Sequence, residues 1–316
     1  MSEQTPTSEP DGNGLPAAPA IPASEYVTQL IAAIEAKDGK AIAEAVDNLA
    51  ALPGGTGGFI VRQTVLSAGL ADRMLEALKT YSNSENSASA WAHLSIGATI
   101  LGRQDVAVEA ARTGLKIDPG DPNAALMVIL SANERGDFQE ALTVLNDIGN
   151  RIAAVKNEPA FVLQLASAQI GIGQPQQALA ILDAALTNLT NNGFEFDGRF
   201  LRARALRAIP ERLNDAVRAW EAAINAGRIP DQIDRARDGL VETLMQLQKY
   251  DVVLRELDLA IKNTTNDARR FAWSKLKSSL LARNGDIAGA LSVIEDCDAC
   301  LVKTQLHAIV RNCRGL

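Results

Sequence analysis

The amino-acid sequence predicts an all-α protein built as a solenoid of antiparallel helix pairs. One stretch, residues 88–121, has the pattern of a complete helical hairpin. The same pattern of small and apolar residues then recurs through the rest of the chain at nearly constant spacing. Aromatic residues make up only 4% of the 316 residues. Closely packed helix pairs need few of them, whereas an enzyme of this size usually has more around its pocket.

Residues 88–121 carry the signals of two helices joined by a tight turn. Small or apolar residues follow one another in steps of three and four, which places them on one face of a helix. Gly102 interrupts the first run, and glycine is common just past a helix end because it accepts left-handed backbone angles. Pro119 ends the second run, since proline excludes helical angles for the residue before it. The face of the first helix is Trp91, Leu94, Ala98 and Leu101, and that of the second is Ala107, Ala111, Gly114 and Leu115.

A ladder of packing residues repeats the second helix of this hairpin five more times. The residue that opens each second helix recurs at intervals of 34, 37, 38, 37 and 37 residues. Six units in one register predict a regular stack rather than an irregular helical domain, and the residues in excess of 34 are expected in loops such as 190–196 and 227–231. The opening positions are Ala107, Ala141, Ala178, Ala216, Val253 and Ala290. Four residues later come Ala111, Leu145, Leu182, Trp220, Leu257 and Ile294, and seven residues later Gly114, Ile148, Ala185, Ala223, Ala260 and Cys297.

Four regions are expected along the chain. Residues 1–22 hold five of the twelve prolines among Ser, Thr, Glu and Gly, and such a tail is predicted to be disordered because it has little apolar surface to bury. Residues 23–87 are predicted to form degenerate N-terminal helix pairs, with a polar loop at 82–89. Residues 88–299 hold the six hairpins. Residues 300–316 are predicted to form a capping helix, which a stack needs to cover its last apolar face.

Residues 88–121 resemble the tetratricopeptide repeat, whose period is about 34 residues. The residues that carry the resemblance are Trp91, Leu94, Ala98, Gly102, Ala107, Gly114 and Pro119. The sequence departs from the family pattern at Ser95, where the family has a small glycine, and at Ala111, where a large apolar residue is common. The resemblance implies a right-handed superhelix whose concave groove is lined by the first helix of each pair. In that family the groove binds peptides or extended segments.

The resemblance implies that residues of successive first helices line the groove. The first clear unit would contribute Ala92, Ile96 and Thr99, and later units Ser167, Asp238 and Glu242. The residues expected to contact a partner are Asn123, Leu126, Leu130, Asn133, Leu163, Ile170, Arg204, Arg207 and Arg235. An extended partner segment with apolar residues at one end and acidic residues at the other would fit this set.

The arginines of this set lie in a locally basic part of an acidic chain. Residues 191–277 hold 16 Lys and Arg against 13 Asp and Glu, and the rest of the chain holds 15 against 25. Arg199, Arg202, Arg204, Arg207 and Arg212 crowd one hairpin. One interpretation is a docking patch for an acidic peptide. The other is a solvated surface on which these arginines pair with Asp197, Glu211 and Asp215, and such exposed pairs contribute little.

No catalytic constellation is recognisable, so the protein is predicted not to be an enzyme and to need no cofactor. Three cysteines, Cys297, Cys300 and Cys313, cluster near the end of the sequence with His307 between them. Three thiolates and an imidazole could form a tetrahedral zinc site, and a CxxC pair could be redox-active. Cys297 also occupies a packing slot that alanine fills in other units. Inert thiols and no bound metal are therefore expected.

Charge and hydropathy narrow the class of partner. The net charge of −7 and a pI near 5.1 argue against general nucleic-acid binding, where a basic surface supplies most of the affinity. The sequence contains no signal peptide pattern and no apolar run of membrane-spanning length, so a cytoplasmic location is expected.

Two functions from different classes remain. The first is a non-catalytic scaffold or adaptor that binds an extended segment of another protein in the groove. The alternative is an accessory or regulatory subunit of an enzyme complex, for instance in envelope polysaccharide assembly. The lysine, asparagine and arginine set with which some family members grip a C-terminal carboxylate is not recognisable, which disfavours an adaptor for chaperone tails.

Overall fold

The structure, a computed structural model, describes residues 23–50 and 57–295. These residues form sixteen α-helices and two short 3-10 helices, and no strand occurs among them. The first eight helices are α1 Ala23–Glu35, α2 Gly39–Ala50, α3 Gly57–Ser67, α4 Ala71–Glu85, α5 Ala88–Ile100, α6 Gln104–Ile117, α7 Pro122–Arg135 and α8 Phe138–Arg151. The others are α9 Pro159–Gly171, α10 Pro175–Asn191, α11 Glu195–Arg207, α12 Leu213–Ala226, α13 Pro230–Gln246, α14 Tyr250–Asn263, α15 Asp267–Arg283 and α16 Ile287–Glu295.

Each odd-numbered helix pairs with the helix that follows it, which gives eight units of a first and a second helix. The turns depend on residues that tolerate left-handed backbone angles. Gly102 and Gly136 have φ of +75° and +78°, where a β-carbon is unfavourable. After the second of these, the side chain of Asp137 accepts a hydrogen bond from the backbone N–H of Glu140 and caps α8. The predicted all-α solenoid of antiparallel helix pairs is confirmed.

The ladder predicted from the sequence forms the interface inside each unit. All six opening residues, from Ala107 to Ala290, are at most 1% exposed. Ala111, Leu182, Trp220, Leu257 and Ile294 are equally buried, whereas Leu145 and Ala185 are half-buried. Ser95, which departs from the family pattern, is buried with its hydroxyl 2.8 Å from the carbonyl oxygen of Ala107. The serine therefore keeps the close approach of the two helices and adds a hydrogen bond between them.

The residues in excess of 34 per unit lie mainly in helical segments rather than in loops. A 3-10 helix at Ala153–Asn157 accounts for the first increase, and α10, α13 and α15 have 17 residues each. The predicted loop at 190–196 was wrong in part, because α10 extends to Asn191 and α11 begins at Glu195. Three or four added residues make about one helical turn. A helix lengthened in this way keeps the same face buried, so the register of the stack survives.

The polar loop predicted at 82–89 was also wrong. Helix α4 continues to Glu85 and α5 begins at Ala88, which leaves two residues between them. The hydroxyl of Ser82 is fully buried, 2.8 Å from the carbonyl oxygen of Leu78 and 2.9 Å from that of Ala90. A polar side chain thus stays inside the helix because it bonds within α4 and across to α5.

The core is divided along the stack rather than gathered at one centre. Four clusters of buried residues follow one another, centred on α1–α5, on α7–α9, on α9–α15 and on α15–α16. Consecutive first helices contact one another from α1 to α13, whereas second helices beyond α4 mainly contact the helices that adjoin them in sequence. First helices are therefore closer together and lie on the inner side of the superhelix.

A polar seam joins the last two first helices of the stack. Arg269 on α15 lies 3.1 Å from a carboxylate oxygen of Asp231, 3.7 Å from Asp234 and 3.6 Å from Asp238. The indole N–H of Trp273 donates to Asp238 at 2.7 Å, and Asp234, which is 3% exposed, accepts from the hydroxyl of Thr264 at 2.6 Å. Charged groups thus link α13 to α15.

Several predictions fall outside the described residues. These are the disordered tail at 1–22, the capping helix at 300–316 and the cluster of Cys297, Cys300, His307 and Cys313. Within the described ranges, none of the helices has the length and apolar character that a membrane span requires. No group of three or more potential metal-ligating side chains occurs in those same ranges.

Candidate functional site

The inner side of the stack holds a cavity of about 430 Å³ between four consecutive first helices, α7, α9, α11 and α13. We call it the groove cavity. Its apolar lining comprises Leu126, Leu130, Ala160, Leu163, Phe194, Phe200 and Leu201, and its polar lining Asn133, Glu134, Gln164, Ser167, Asp197, Arg204 and Arg235. The side formed by α7 and α9 is therefore mostly apolar, with Glu134 as its charged residue, and the other side carries two arginines and an aspartate.

The apolar lining is held in place by the core behind it. Leu163 and Leu201 are 6% and 8% exposed and belong to the largest buried cluster. The ring of Phe200 packs edge-on against the buried indole of Trp220, with 5.2 Å between ring centroids. Aromatic pairs of this geometry are favourable beyond the area that they bury. The floor of the groove cavity is thus a preformed apolar surface.

Arg204 and Arg235 face this cavity without a carboxylate partner. Among the described residues, no carboxylate lies within ion-pair distance of either guanidinium. Burial, reinforced by the like charges of Arg207 and Arg235, lowers the pKa of the Arg204 guanidinium. The guanidinium carbon of Arg235 lies over the ring of Phe200, 4.8 Å from its centroid. A positive charge is therefore held over an apolar floor, with no carboxylate of the described residues within ion-pair distance.

Asp197 is the carboxylate of the cavity lining whose charge interacts with one of these arginines. Burial raises the pKa of Asp197, and the positive charge of Arg235 opposes part of that rise. The two groups thus influence each other electrostatically, although they form no direct ion pair. The positive charge of the site is reduced on the side of Arg235 and remains uncompensated at Arg204.

Arg207, one turn beyond Arg204 on α11, makes its contacts with other residues of the stack. Its guanidinium forms an ion pair with Glu242 on α13, and its central carbon lies 5.9 Å from the ring centroid of Trp220. Neighbouring arginines are paired in a similar way. Arg199 pairs with Glu195 at 2.9 Å, Arg202 with Asp183 at 2.6 Å, and Arg212 with Asp215 at 2.9 Å. Of the pairings expected from the sequence, only the one with Asp215 occurs.

The groove cavity brings together most of the predicted partner-binding residues. Leu126, Leu130, Asn133, Leu163, Arg204 and Arg235 line it, together with the expected groove residue Ser167. Asn123, Ile170 and Arg207 lie outside that lining. Asn123 is exposed in the first turn of α7, and Ile170 is half-buried against the core. Whether any of these residues contacts a partner stays a prediction.

Sequence reasoning missed the aromatic and acidic members of the site. Phe194, Asp197 and Phe200 were not among the predicted residues, although Asp197 and Phe200 lie seven and four positions before Arg204. Residues at these spacings share one helix face. Asp197 and Phe200 could therefore have been predicted from the sequence once Arg204 had been assigned to the inner face.

The amide of Asn133 ties two walls of the cavity together. Its Nδ2 donates to the backbone carbonyl oxygen of Gln164 at 3.0 Å and lies 2.9 Å from the side-chain oxygen of the same residue. This link holds α7 against α9 at the edge of the apolar floor. Asn133 therefore positions the wall as well as lining it.

Comparison with known proteins establishes the fold. The sequence matches no protein-family model and no curated protein. A tetratricopeptide repeat protein from Parabacteroides merdae superposes with a TM-score of 0.54 at 11% identity, over 85% of this chain and 99% of its own. The APC/C hetero-tetramer Cut9-Hcn1 gives 0.55 at 12% identity, over 90% of this chain and 58% of that one. Yeast Tom70 gives a TM-score of 0.50 at 14% identity, over 83% of this chain and 58% of that one.

These structures and the eight helix pairs define the class of protein. The chain has the fold of the tetratricopeptide repeat proteins, a right-handed superhelical solenoid. The resemblance seen in residues 88–121 is therefore confirmed at the level of the fold. Since the identities are low, the likeness supports the architecture and leaves the bound partner to be argued from the groove itself.

Proposed function

We propose that this protein is a non-catalytic interaction scaffold that binds an extended segment of another protein in its concave groove. The observation that carries the proposal is the pairing of an apolar floor with two arginines that lack a carboxylate partner among the described residues. An empty groove of this composition leaves apolar surface in water and leaves the half-buried charge of Arg204 without an ion-pair partner among the described residues. A bound segment that supplies apolar side chains and a carboxylate relieves both.

The chemistry of the arginines favours a carboxylate on the partner. A guanidinium presents donors in a planar fork that matches a carboxylate with two parallel hydrogen bonds. Arg204 is half-buried, so a pair formed there is screened less by salt than a pair on the open surface. The acidic part of the bound segment therefore lies against Arg204 and Arg235, and its apolar part lies over Leu126, Leu130 and Leu163.

Differential capture from a cell extract tests the proposal. The bait variant is Arg204→Glu with Arg235→Glu, which reverses charge in the groove cavity. The matched control is Arg73→Glu with Arg255→Glu, which makes the same change of charge at two exposed arginines on the second helices α4 and α14. We expect one protein to be retained by the unchanged chain and by the control, and to be lost with the groove variant.

The salt dependence of binding to that captured protein completes the test. Charge pairs at an interface mainly raise the association rate and weaken with ionic strength. Binding by the unchanged chain should therefore fall as salt rises, and the residual binding of the groove variant should vary less. Equal retention by both variants at low salt would show that the arginines are solvated surface and would overturn the proposed groove site.

The identity of the captured protein also separates the two roles considered from the sequence. A non-enzymatic partner, or several partners sharing one segment, supports a scaffold or adaptor. A single enzyme whose activity changes on binding supports an accessory or regulatory subunit of an enzyme complex. Both roles use the same groove, so the experiment decides between them without altering the site.

A further inference from the structure

A second and larger cavity adjoins the groove cavity across the inside of the superhelix. It has a volume of about 880 Å³, and we call it the cross-groove cavity. One wall comes from α3 and α5 near the start of the stack, and the opposite wall from the first turns of α13 and α15 and the residues just before them. Asp197 and Arg235 line both cavities. A segment that leaves the groove cavity past Arg235 therefore enters the cross-groove cavity directly.

The α3 wall of the cross-groove cavity carries exposed apolar side chains beside Arg62 and Gln63. Phe59 is 43% exposed and Leu66 is 47% exposed, and both line the cavity with Ile100 of α5. Phe59 and Leu66 are seven residues apart, which places them two turns apart on one face of the helix. Only five large hydrophobic residues of the described chain are 38% or more exposed, and two of these five lie on this one face of α3.

The opposite wall is polar, and most of its charged side chains already form ion pairs with one another. Asp231 and Asp234 lie near Arg269 in the polar seam, while Asn266 caps α15 through the backbone N–H of Arg269. Among the described residues, Arg235 is the cation of this wall that forms no ion pair, and it stands at the junction of the two cavities. An occupant of the cross-groove cavity thus finds apolar contacts and Arg62 on α3, and the charge of Arg235 at the junction of the two cavities.

We infer that the bound segment is an extended peptide with a central acidic residue and bulky apolar residues on both sides of it. This inference rests on the proposed function and makes it more specific. The acidic residue pairs with Arg204 and Arg235, which supply the charge complementarity. One apolar side packs over Leu126, Leu130 and Leu163, as proposed above. The other apolar side crosses to Phe59 and Leu66, so the segment passes between the two walls of the superhelix.

Selection from a phage-displayed library of random twelve-residue peptides tests this order of side chains. The probes are the full chain, the groove variant Arg204→Glu with Arg235→Glu, and the variant Phe59→Ser with Leu66→Ser. The control is Leu259→Ser, which removes an equally exposed hydrophobic residue, 48% exposed, from the second helix α14. Dissociation constants are then measured for one selected peptide with all four proteins.

The full chain should select peptides in which an Asp or Glu lies between two apolar clusters. The α3 variant should select peptides that keep the acidic residue and one apolar cluster but lose the other. It should bind the original peptide about tenfold or more weakly, since two large apolar contacts are removed. The Leu259→Ser control should leave both the motif and the affinity unchanged.

The outcomes distinguish a failure of this inference from a failure of the proposed function. If the α3 variant selects the same motif and binds it with unchanged affinity, the segment does not reach the cross-groove cavity and this inference is wrong, while the proposed function stands. If the groove variant selects the same acidic motif as the full chain, the arginine site is wrong. If the full chain selects no common peptide, both are wrong.

Discussion

The indole ring of Trp220 on α12 lies directly against Gly239 on α13, so closely that a β-carbon on Gly239 would overlap the ring. Trp220 is 1% exposed, and its indole N–H donates to the hydroxyl of Thr243 at 2.9 Å. The ring is also covered by Phe200, which lines the groove cavity. This single contact therefore joins the sixth and seventh units and supports the floor of the groove cavity.

Gly239→Ala should destabilise the protein, because neither the indole nor the backbone of α13 has room to move. Overpacking of this kind costs about 1–3 kcal/mol, and the midpoint of thermal unfolding should fall by several degrees. The control is Gly58→Ala on α3, where a β-carbon would meet only Ile100 at 3.8 Å. That substitution should leave the midpoint unchanged or slightly higher, since alanine suits a helix better than glycine. Equal loss in both variants would show that the Trp220 contact is not tight.

Ala141→Phe should also lower the unfolding midpoint. Ala141 opens the second helix of the fourth unit and is fully buried, so a ring there forces helices apart at a cost of about 1–3 kcal/mol or more. The matched change Gln139→Phe lies two residues earlier on the same helix at an exposed position and should have little effect. Circular dichroism followed with temperature measures both. Effects of equal size at Ala141 and Gln139 would show that the register of the ladder is wrong.

Arg204→Met should make the free protein more stable while weakening its binding to the partner. The half-buried guanidinium has two like charges nearby and no ion-pair partner among the described residues, so a neutral side chain of similar length removes an unfavourable charge and keeps most of the packing. Arg207→Met, three residues further along the same helix, should make the free protein less stable. It removes the pair with Glu242 and the contact with the Trp220 ring. Urea denaturation of the two variants measures the difference, and destabilisation of equal size in both would contradict the assignment of Arg204 to an uncompensated site.

Stability contributed by His93 should decline as pH rises. Its Nδ1 lies 2.8 Å from the carbonyl oxygen of Ser89 on the same helix, and its Nε2 lies 2.9 Å from a carboxylate oxygen of Asp47 on α2. Both partners only accept, so the arrangement favours the imidazolium. The hydrogen bond to Asp47 raises the pKa of His93, although burial opposes it. The contribution is therefore complete below the unfolded pKa of about 6.5 and is lost as pH rises through the raised folded pKa.

Comparing the unchanged chain with Asp47→Asn isolates this contribution. The difference in unfolding midpoint between the two proteins should be largest near pH 5.5 and should shrink toward pH 8.5. Other titrating groups are common to both and cancel in the difference. A difference that stays constant, or grows, across this range would show that the pair with Asp47 does not hold the proton on His93.

The sequence was sufficient for the stack because small buried residues leave a local and periodic trace. Ala107, Ala141 and their successors must be small wherever two helices meet closely, and that requirement is visible at fixed spacing. The lengths of α10 and α13 were harder to predict. Three added residues in a polar segment extend a helix or a loop equally well until the neighbouring unit supplies the surface that orders them.

The candidate site was predictable only where it follows from one helix. The resemblance to the repeat family implied that Arg204 and Leu163 lie on the inner face, because that family lines its groove with the first helix of each pair. The pairing of Arg207 with Glu242 depends on how one unit rotates against the next, and that rotation leaves no local signal in the sequence. The approach of Phe59 to the far wall depends on the same rotation accumulated over five units, so it could be found only from the structure.

The distance between α3 and the start of α13 has a mechanical consequence. That gap is the sum of small rotations at each junction between neighbouring units, since curvature in a repeat stack is built one unit at a time. The spacing between the coils of the superhelix then sets the width of the opening between the two walls of the cross-groove cavity. A substitution at a junction far from the groove changes the spacing without touching the partner. Residues that never contact an occupant of the groove would in this way help to set how well it fits.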